Sequence, residues 1–195
     1  MIAHPGGMAA ILGLDRAAVE AVCAEAADHG VVRAANLNAP GQIVISGAIA
    51  AVDRACELAK VRGAKRAIRL QVSGAFHSPL MAGAAAGLAE ALDRVAFRDP
   101  RCPVIANVSA TPLTRADQLR DALRAQLLGA VLWEDTMRVV RAAGATAVEL
   151  GTGTVLRGLL RTLDKDAPSY NVDGPDDLTA TLAALGAMTP GRGNA

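Results

Sequence analysis

His77 is the residue in this chain best placed to move a proton. It stands in the run Val72 to Met81, VSGAFHSPLM, directly ahead of Ser78 and Pro79. A serine oxygen can accept from a free N–H at a helix start, and proline's fixed φ suits the first helical position. Ser78 therefore reads as an N-cap and Pro79 as the residue that opens the helix. The positive end of that helix's dipole works against an imidazolium at position 77 and favours the neutral ring that a general base needs. Residue type alone also fits a histidine hydrogen-bonded for structural reasons among small apolar neighbours, and at this point both readings stand.

A base needs a client, and the sequence displays none. The serines are Ser46, Ser73, Ser78, Ser109 and Ser169, and none lies in a G-x-S-x-G elbow, the strained turn that exposes an activated hydroxyl. A hydrolase pairing His77 with Ser78 is the weakest option, because adjacent residues at a helix start seldom point at one another. No HxxxH or CxxC spacing occurs, so no metal site is expected. Gly151-Thr152-Gly153 has the start of a dinucleotide-binding turn, but Leu156 stands where the third glycine is required, which leaves a tight strand-to-helix turn. Lys60, Arg62, Lys65, Arg66 and Arg69 form a basic run across a helix end and the strand after it. It suits a solvated face, or, through Arg62, Lys65 and Arg66, a patch for an acidic protein or a phosphate-bearing ligand.

Composition bounds what surrounds these groups. The apolar share is 52% with 2% aromatics, so any core is built from Ala, Val, Leu and Ile. Twenty basic against nineteen acidic residues give a net charge of +1, too little field to recruit nucleic acid or an anionic membrane. Cys23, Cys56 and Cys102 are odd in number and widely spaced, and they read as small buried hydrophobes in a reducing compartment. The opening Met1-Ile2-Ala3-His4-Pro5 has no basic n-region and no long apolar run follows, which points to the cytoplasm.

The elements that must hold His77 follow from periodicity. MAAIL at 8–12 fits a buried strand, and Asp15 can cap a helix with Val19, Val22, Cys23 and Ala26 on one stripe, stopped at Gly30. Residues 31–37 and 42–46 read as strands around an Asn38-Ala39-Pro40-Gly41 turn. A helix carrying Val52, Ala55, Cys56 and Ala59, stopped at Gly63, leads to a strand over 66–72. That order is the βαββαβ unit of a ferredoxin-like subdomain over 7–72, with two helices on one sheet face. Residues 73–188 alternate helix and strand, as in the later, incomplete portion of an α/β-hydrolase-like parallel-sheet domain. There, Ala84, Leu88, Ala91, Leu92 and Val95 give a buried helical stripe, and 104–108, 146–150 and 169–172 are strands. The Gly-rich tail 189–195 reads as disordered.

Several segments together resemble the malonyl-CoA:acyl-carrier-protein transacylase family of acyltransferases. They are Gly7 to Gly13, GMAAILG; Asn36 to Gly47, NLNAPGQIVISG; Gly74 to Met81, GAFHSPLM; Pro103 to Val108, PVIANV; Arg120 to Leu123 running on to Gln126 and Leu127; and Glu149-Leu150-Gly151 with Gly153. The resemblance implies a ping-pong transfer in which a serine takes malonyl from malonyl-CoA and passes it to the phosphopantetheine thiol of acyl carrier protein, with no cofactor beyond the coenzyme A thioester substrate. It implies that His77 is the base, that the backbone carbonyl at Gln126 holds its other nitrogen, and that Phe76 crowds a 2-methyl branch and so favours malonyl. Asn38 and Asn107 fall on matching loops, where lining the pocket and a polar structural role fit equally well. The family's nucleophile elbow, its carboxylate-binding arginine and its oxyanion glutamine belong to the half ahead of the segments matched here. The chain alone is therefore expected not to transfer malonyl unless a separate N-terminal half supplies them. The competing reading is a non-catalytic ferredoxin-like module that holds acyl carrier protein.

Overall fold

The computed structural model describes residues 6–188, so the tail expected to be disordered lies outside the described residues. Contacts divide the chain into two compact units, one ending at Val139 and one beginning at Val140.

In the first unit, Gly6–Leu12 forms β1, and Asp15 caps α1 (Arg16–Glu25) by accepting from Ala18 N. A 3₁₀ turn at Ala26–His29 then ends at Gly30, whose φ of +119° only glycine adopts without strain. β2 (Val32–Ala39) and β3 (Gln42–Ala48) close a hairpin through Pro40-Gly41. The turn is therefore two residues shorter than the sequence suggests, with Asn38 and Ala39 in the strand and Ala39 paired to Gln42. Proline presets φ at the first central position and Gly41 supplies φ +71° at the second, so two residues suffice to reverse the chain. Helix α2 (Ile49–Val61) leads to β4 (Arg66–Arg69). This last strand stops three residues before the expected Val72, because its pairing with β1 ends at the Ala9–Arg69 partners.

The strand order is β2-β3-β1-β4 with every neighbour antiparallel. Alternation along the strands puts Ile11, Ile43 and Ile45 on one face, where they meet Val19, Val22 and Cys23 of α1 and Val52, Ala55 and Cys56 of α2. Each fully buried aliphatic side chain there contributes roughly 1.5–3 kcal/mol. The other face carries Met8, Ala35 and Val44, with Phe76 packed against them. This second contact matters for the site, because it seats the loop that bears His77 on the sheet.

Beyond the sheet, Pro79–Met81 form a 3₁₀ turn that runs into α3 (Ala82–Asp93). Of the expected buried stripe only Leu92 is buried, while Ala84, Ala91 and Val95 are exposed, since no element among the described residues covers that face. The expected strand at 104–108 shrinks to β5 (Val104–Ile105) and pairs antiparallel with β6 (Pro112–Leu113) instead of joining a parallel sheet. The N–H groups of Ser109 and Ala110 donate to the Ala106 carbonyl, and Ala110 adopts φ +52°, so the backbone turns before the strand can extend. α4 (Ala116–Gln126) follows, its first N–H donating to Asp99 at 2.8 Å, and α5 (Trp133–Ala142) begins after a short loop. Cys102 is exposed, contrary to the expectation of three buried thiols.

The second unit has β7 (Ala147–Leu150) and β8 (Ser169–Val172) paired in parallel through the crossover helix α6 (Val155–Leu163), and closes with α7 (Pro175–Met188). Both expected strands are present and parallel, but a two-stranded sheet buries little: Leu150 is 77% exposed and Val155 71%. The chain is thus a mixed α/β protein with two antiparallel sheets and one parallel sheet among the described residues.

Candidate active site

The loop carrying His77 is held from below. Gly74 and Ala75 are buried, and Gly6 lies so close that a Cβ there would sit 2.5 Å from the Ala75 Cβ. Ser78 is fully buried; its Oγ donates to the Ala75 carbonyl at 2.7 Å and accepts from Leu80 N at 3.3 Å. Ser78 is therefore the N-cap its position suggests, and the same two bonds remove it as a nucleophile.

His77 itself adopts φ +60°, a left-handed conformation that costs a non-glycine residue roughly 1–2 kcal/mol and persists only where the surroundings impose it. Its half-buried ring places Nδ1 2.9 Å from the backbone carbonyl oxygen of Gln126. A carbonyl can only accept, so Nδ1 carries the hydrogen, and in the neutral ring Nε2 is left with its lone pair. Gln126 is the last residue of α4, where carbonyls have no partner within the helix. The negative end of the α4 dipole therefore lies at the ring. Nε2 is thereby left as the ring nitrogen that can accept a proton.

Asn107 stands in the same neighbourhood. With Gln126, Phe97, Val104, Ile105 and Leu123 it lines a largely apolar cleft of about 430 Å³, and its backbone carbonyl accepts from Leu132 N at 2.7 Å. Phe76 is half-buried against the sheet. Asn38 lies near the hairpin tip, and no hydrogen bond among the described residues joins it to His77 or Gln126.

Of the basic run, Arg62 pairs with Glu25 at 2.6 Å and Arg69 with Asp53 at 3.4 Å. Lys65 and Arg66 are exposed and without an ion pair among the described residues. At the Gly151-Thr152-Gly153 turn, the carboxylate of Glu149 accepts from both Leu156 N and Arg157 N at 2.9 Å, so the anion position at the start of α6 is filled by the chain's own side chain. Among the described residues no group of three or more His, Cys, Asp or Glu is arranged to hold a metal, and no helix is long and apolar enough to cross a membrane.

Sequence reasoning missed the loop Leu127–Leu132. Val131 adds to the edge of β2, donating to the Ala35 carbonyl and accepting from Leu37 N, both at 2.8 Å. One isolated bridge leaves no periodicity to read. The only available signal was Gly129, whose hypothetical Cβ would meet Val108 Cγ2 at 2.5 Å.

Comparison with known proteins finds malonyl transacylases similar to this chain. The malonyl CoA-acyl carrier protein transacylase of Bacillus subtilis is 43% identical over 185 residues, 94% of this chain and 58% of its own length. The crystal structure of the acyl-carrier-protein S-malonyltransferase of Burkholderia pseudomallei superposes with a TM-score of 0.89 at 42% identity, covering 92% of this chain and 59% of that one. A type II PKS acyl-carrier protein in complex with its malonyl-transacylase gives a TM-score of 0.88 at 36% identity, again covering 92% and 59%. The chain thus spans a little under three-fifths of the relatives it matches. The acyl transferase domain model matches residues 1–189, and with His77 and Gln126 both inside the matched span, this chain belongs to the acyl transferase domain family.

Proposed function

We propose that this chain supplies the base half of a malonyl-CoA:acyl-carrier-protein transacylase of fatty acid or polyketide biosynthesis. The observation that carries the reading is the 2.9 Å contact between His77 Nδ1 and the Gln126 carbonyl, which leaves the lone pair of Nε2 free for proton transfer. A serine hydroxyl from the N-terminal portion of the domain, outside the span matched here, gives its proton to Nε2 as its oxygen attacks the malonyl thioester carbonyl. The imidazolium returns that proton to the departing coenzyme A sulfur. In the second half-reaction His77 deprotonates the phosphopantetheine thiol of acyl carrier protein, the thiolate attacks the serine ester and takes the malonyl group, and the departing serine oxygen regains its proton from the imidazolium. No cofactor is needed beyond the thioester substrate.

Phe76, beside the base, favours malonyl over a 2-methyl analogue, a preference worth about 1–3 kcal/mol. Asn107 and Asn38 contribute polar groups to the acyl pocket, and Arg62, Lys65 and Arg66 offer positive charge to the acidic carrier protein. Residues 7–72 act as a ferredoxin-like small subdomain, a reading supported by the β2-β3-β1-β4 order and the two crossover helices. Residues 73–188 are the later portion of the acyltransferase α/β domain, working in the cytoplasm. Exposed Leu150, Val155 and Leu182 supply apolar surface for the N-terminal half to cover.

The test is reconstitution. The chain is incubated with malonyl-CoA alone and with the unmatched amino-terminal segment of the Bacillus subtilis relative, and covalent malonyl is read by mass spectrometry. No adduct is expected on the chain alone, and an adduct on the added segment's serine is expected when both are present. His77→Ala should lower the reconstituted rate by on the order of 10⁴-fold or more. A malonyl adduct on the chain by itself, or reconstituted transfer indifferent to His77→Ala, would sink the reading.

A further inference from the structure

The backbone carbonyl of Gln126 orients His77, but a carbonyl at the end of a helix is only as fixed as the chain that follows it. Three sets of contacts fix that chain. Gly129 N donates to the Ala125 carbonyl at 2.8 Å, Val131 is stitched to β2 on both sides, and Leu132 N donates to the Asn107 carbonyl. The Gln126 side chain completes the closure, its amide nitrogen lying 3.3 Å from the Gly129 oxygen and 3.5 Å from the Ala130 oxygen. One residue thus presents its main-chain oxygen to the imidazole and uses its side-chain N–H groups to lock the loop behind that oxygen.

We propose that the side-chain amide of Gln126 is a positioning group for His77, which sets the ring's tautomer by holding the Leu127–Leu132 loop against β2. The chemistry singles out glutamine. An amide has two N–H donors, matching two loop carbonyl oxygens, those of Gly129 and Ala130, that accept from no other group among the described residues. Glutamate has the same length and no donor there. Methionine has the same reach and no polarity. The proposal rests on His77 serving as the base, and it adds that the side chain at 126, and not only its peptide oxygen, is under functional constraint.

The test reads the ring directly and needs no acyl transfer. The chain is labelled with ¹⁵N-histidine, and two-bond ¹H–¹⁵N correlations give the Nδ1–H to Nε2–H ratio of His77 at a pH where the ring is neutral, with His29 as internal reference. In the native chain the Nδ1–H form dominates. Gln126→Glu and Gln126→Met are each expected to lower the ratio at least about fivefold, the size of one ordinary net hydrogen bond, while His29 stays unchanged. An unchanged His77 ratio in both variants overturns the proposal, as does a parallel change at His29. If one variant fails to fold by circular dichroism, the other decides, and loss of fold in both also overturns it, because a positioning group leaves the scaffold intact. Failed reconstitution with an altered ratio sinks the functional reading and leaves this one. Restored transfer with an unaltered ratio does the reverse.

Discussion

Gly129→Ala provides a severe test of how the site is built. A Cβ at 129 would lie 2.5 Å from Val108 Cγ2 and 3.0 Å from the Ala125 carbonyl oxygen, whereas carbon atoms rest at about 3.5–4.0 Å. One wall must therefore retreat by about an ångström. The Ala125 oxygen is tethered by its 2.8 Å bond from Gly129 N, so the strain falls on Val108 and on the loop itself. Overpacking of this kind costs about 1–3 kcal/mol. Trp133, the single tryptophan, lies one residue past Leu132, so its fluorescence during urea unfolding reports on the affected segment. In a Val108→Ala background the offending methyl is gone, and Gly129→Ala should then be cheaper by about 1 kcal/mol or more, a coupling measurable in a double-mutant cycle. Equal destabilisation in both backgrounds, or none in either, would refute the claim that Gly129 is required by the close approach of Val108.

Two further outcomes check the core. Ile45→Ala, at a fully buried position between sheet and helices, should cost about 2–5 kcal/mol in urea unfolding. Ile68→Ala, 43% exposed on β4, should cost under about 1 kcal/mol. At neutral pH a thiol reagent should modify exposed Cys102 at once and leave buried Cys23 and Cys56 protected until the chain unfolds. Burial, reinforced by Glu20, pushes the Cys23 thiol from 9.0 up to about 12, and burial raises Cys56 as well. In the unfolded chain these thiols lose protons from about pH 9, while the folded chain keeps them. Stability should therefore hold below that pH and fall above it by up to about 1.4 kcal/mol per pH unit for Cys23. Cys23→Ala should flatten the decline, and a slope unchanged by that substitution would argue against burial as its cause.

The first unit was legible because its elements declare themselves locally. The stripe Val19, Val22, Cys23 and the stripe Val52, Ala55, Cys56 recur at helical spacing, and all six residues are buried as that spacing requires. Pro40-Gly41 and Gly30 mark their turns because proline and glycine act on the backbone directly. The second half was read less well for a related reason. A helical stripe such as Ala84, Ala91 and Val95 announces that a face is apolar, but burial depends on what other chain covers it, and here nothing among the described residues does. The two-residue pairing of β5 with β6 has no period to detect.

From residue types alone came a histidine ahead of a capped helix start, the lack of an elbow serine, and the order of elements in the small sheet, since each depends on neighbours a few positions apart. The carbonyl 49 positions away that meets the ring was implied by the family resemblance and by no residue type, and only the folded chain decided that Ser78 spends its hydroxyl on Ala75 and that Val131 extends β2. A main-chain carbonyl is present in every residue, so no side chain advertises which one will face an imidazole. That choice is made by where a helix ends in space.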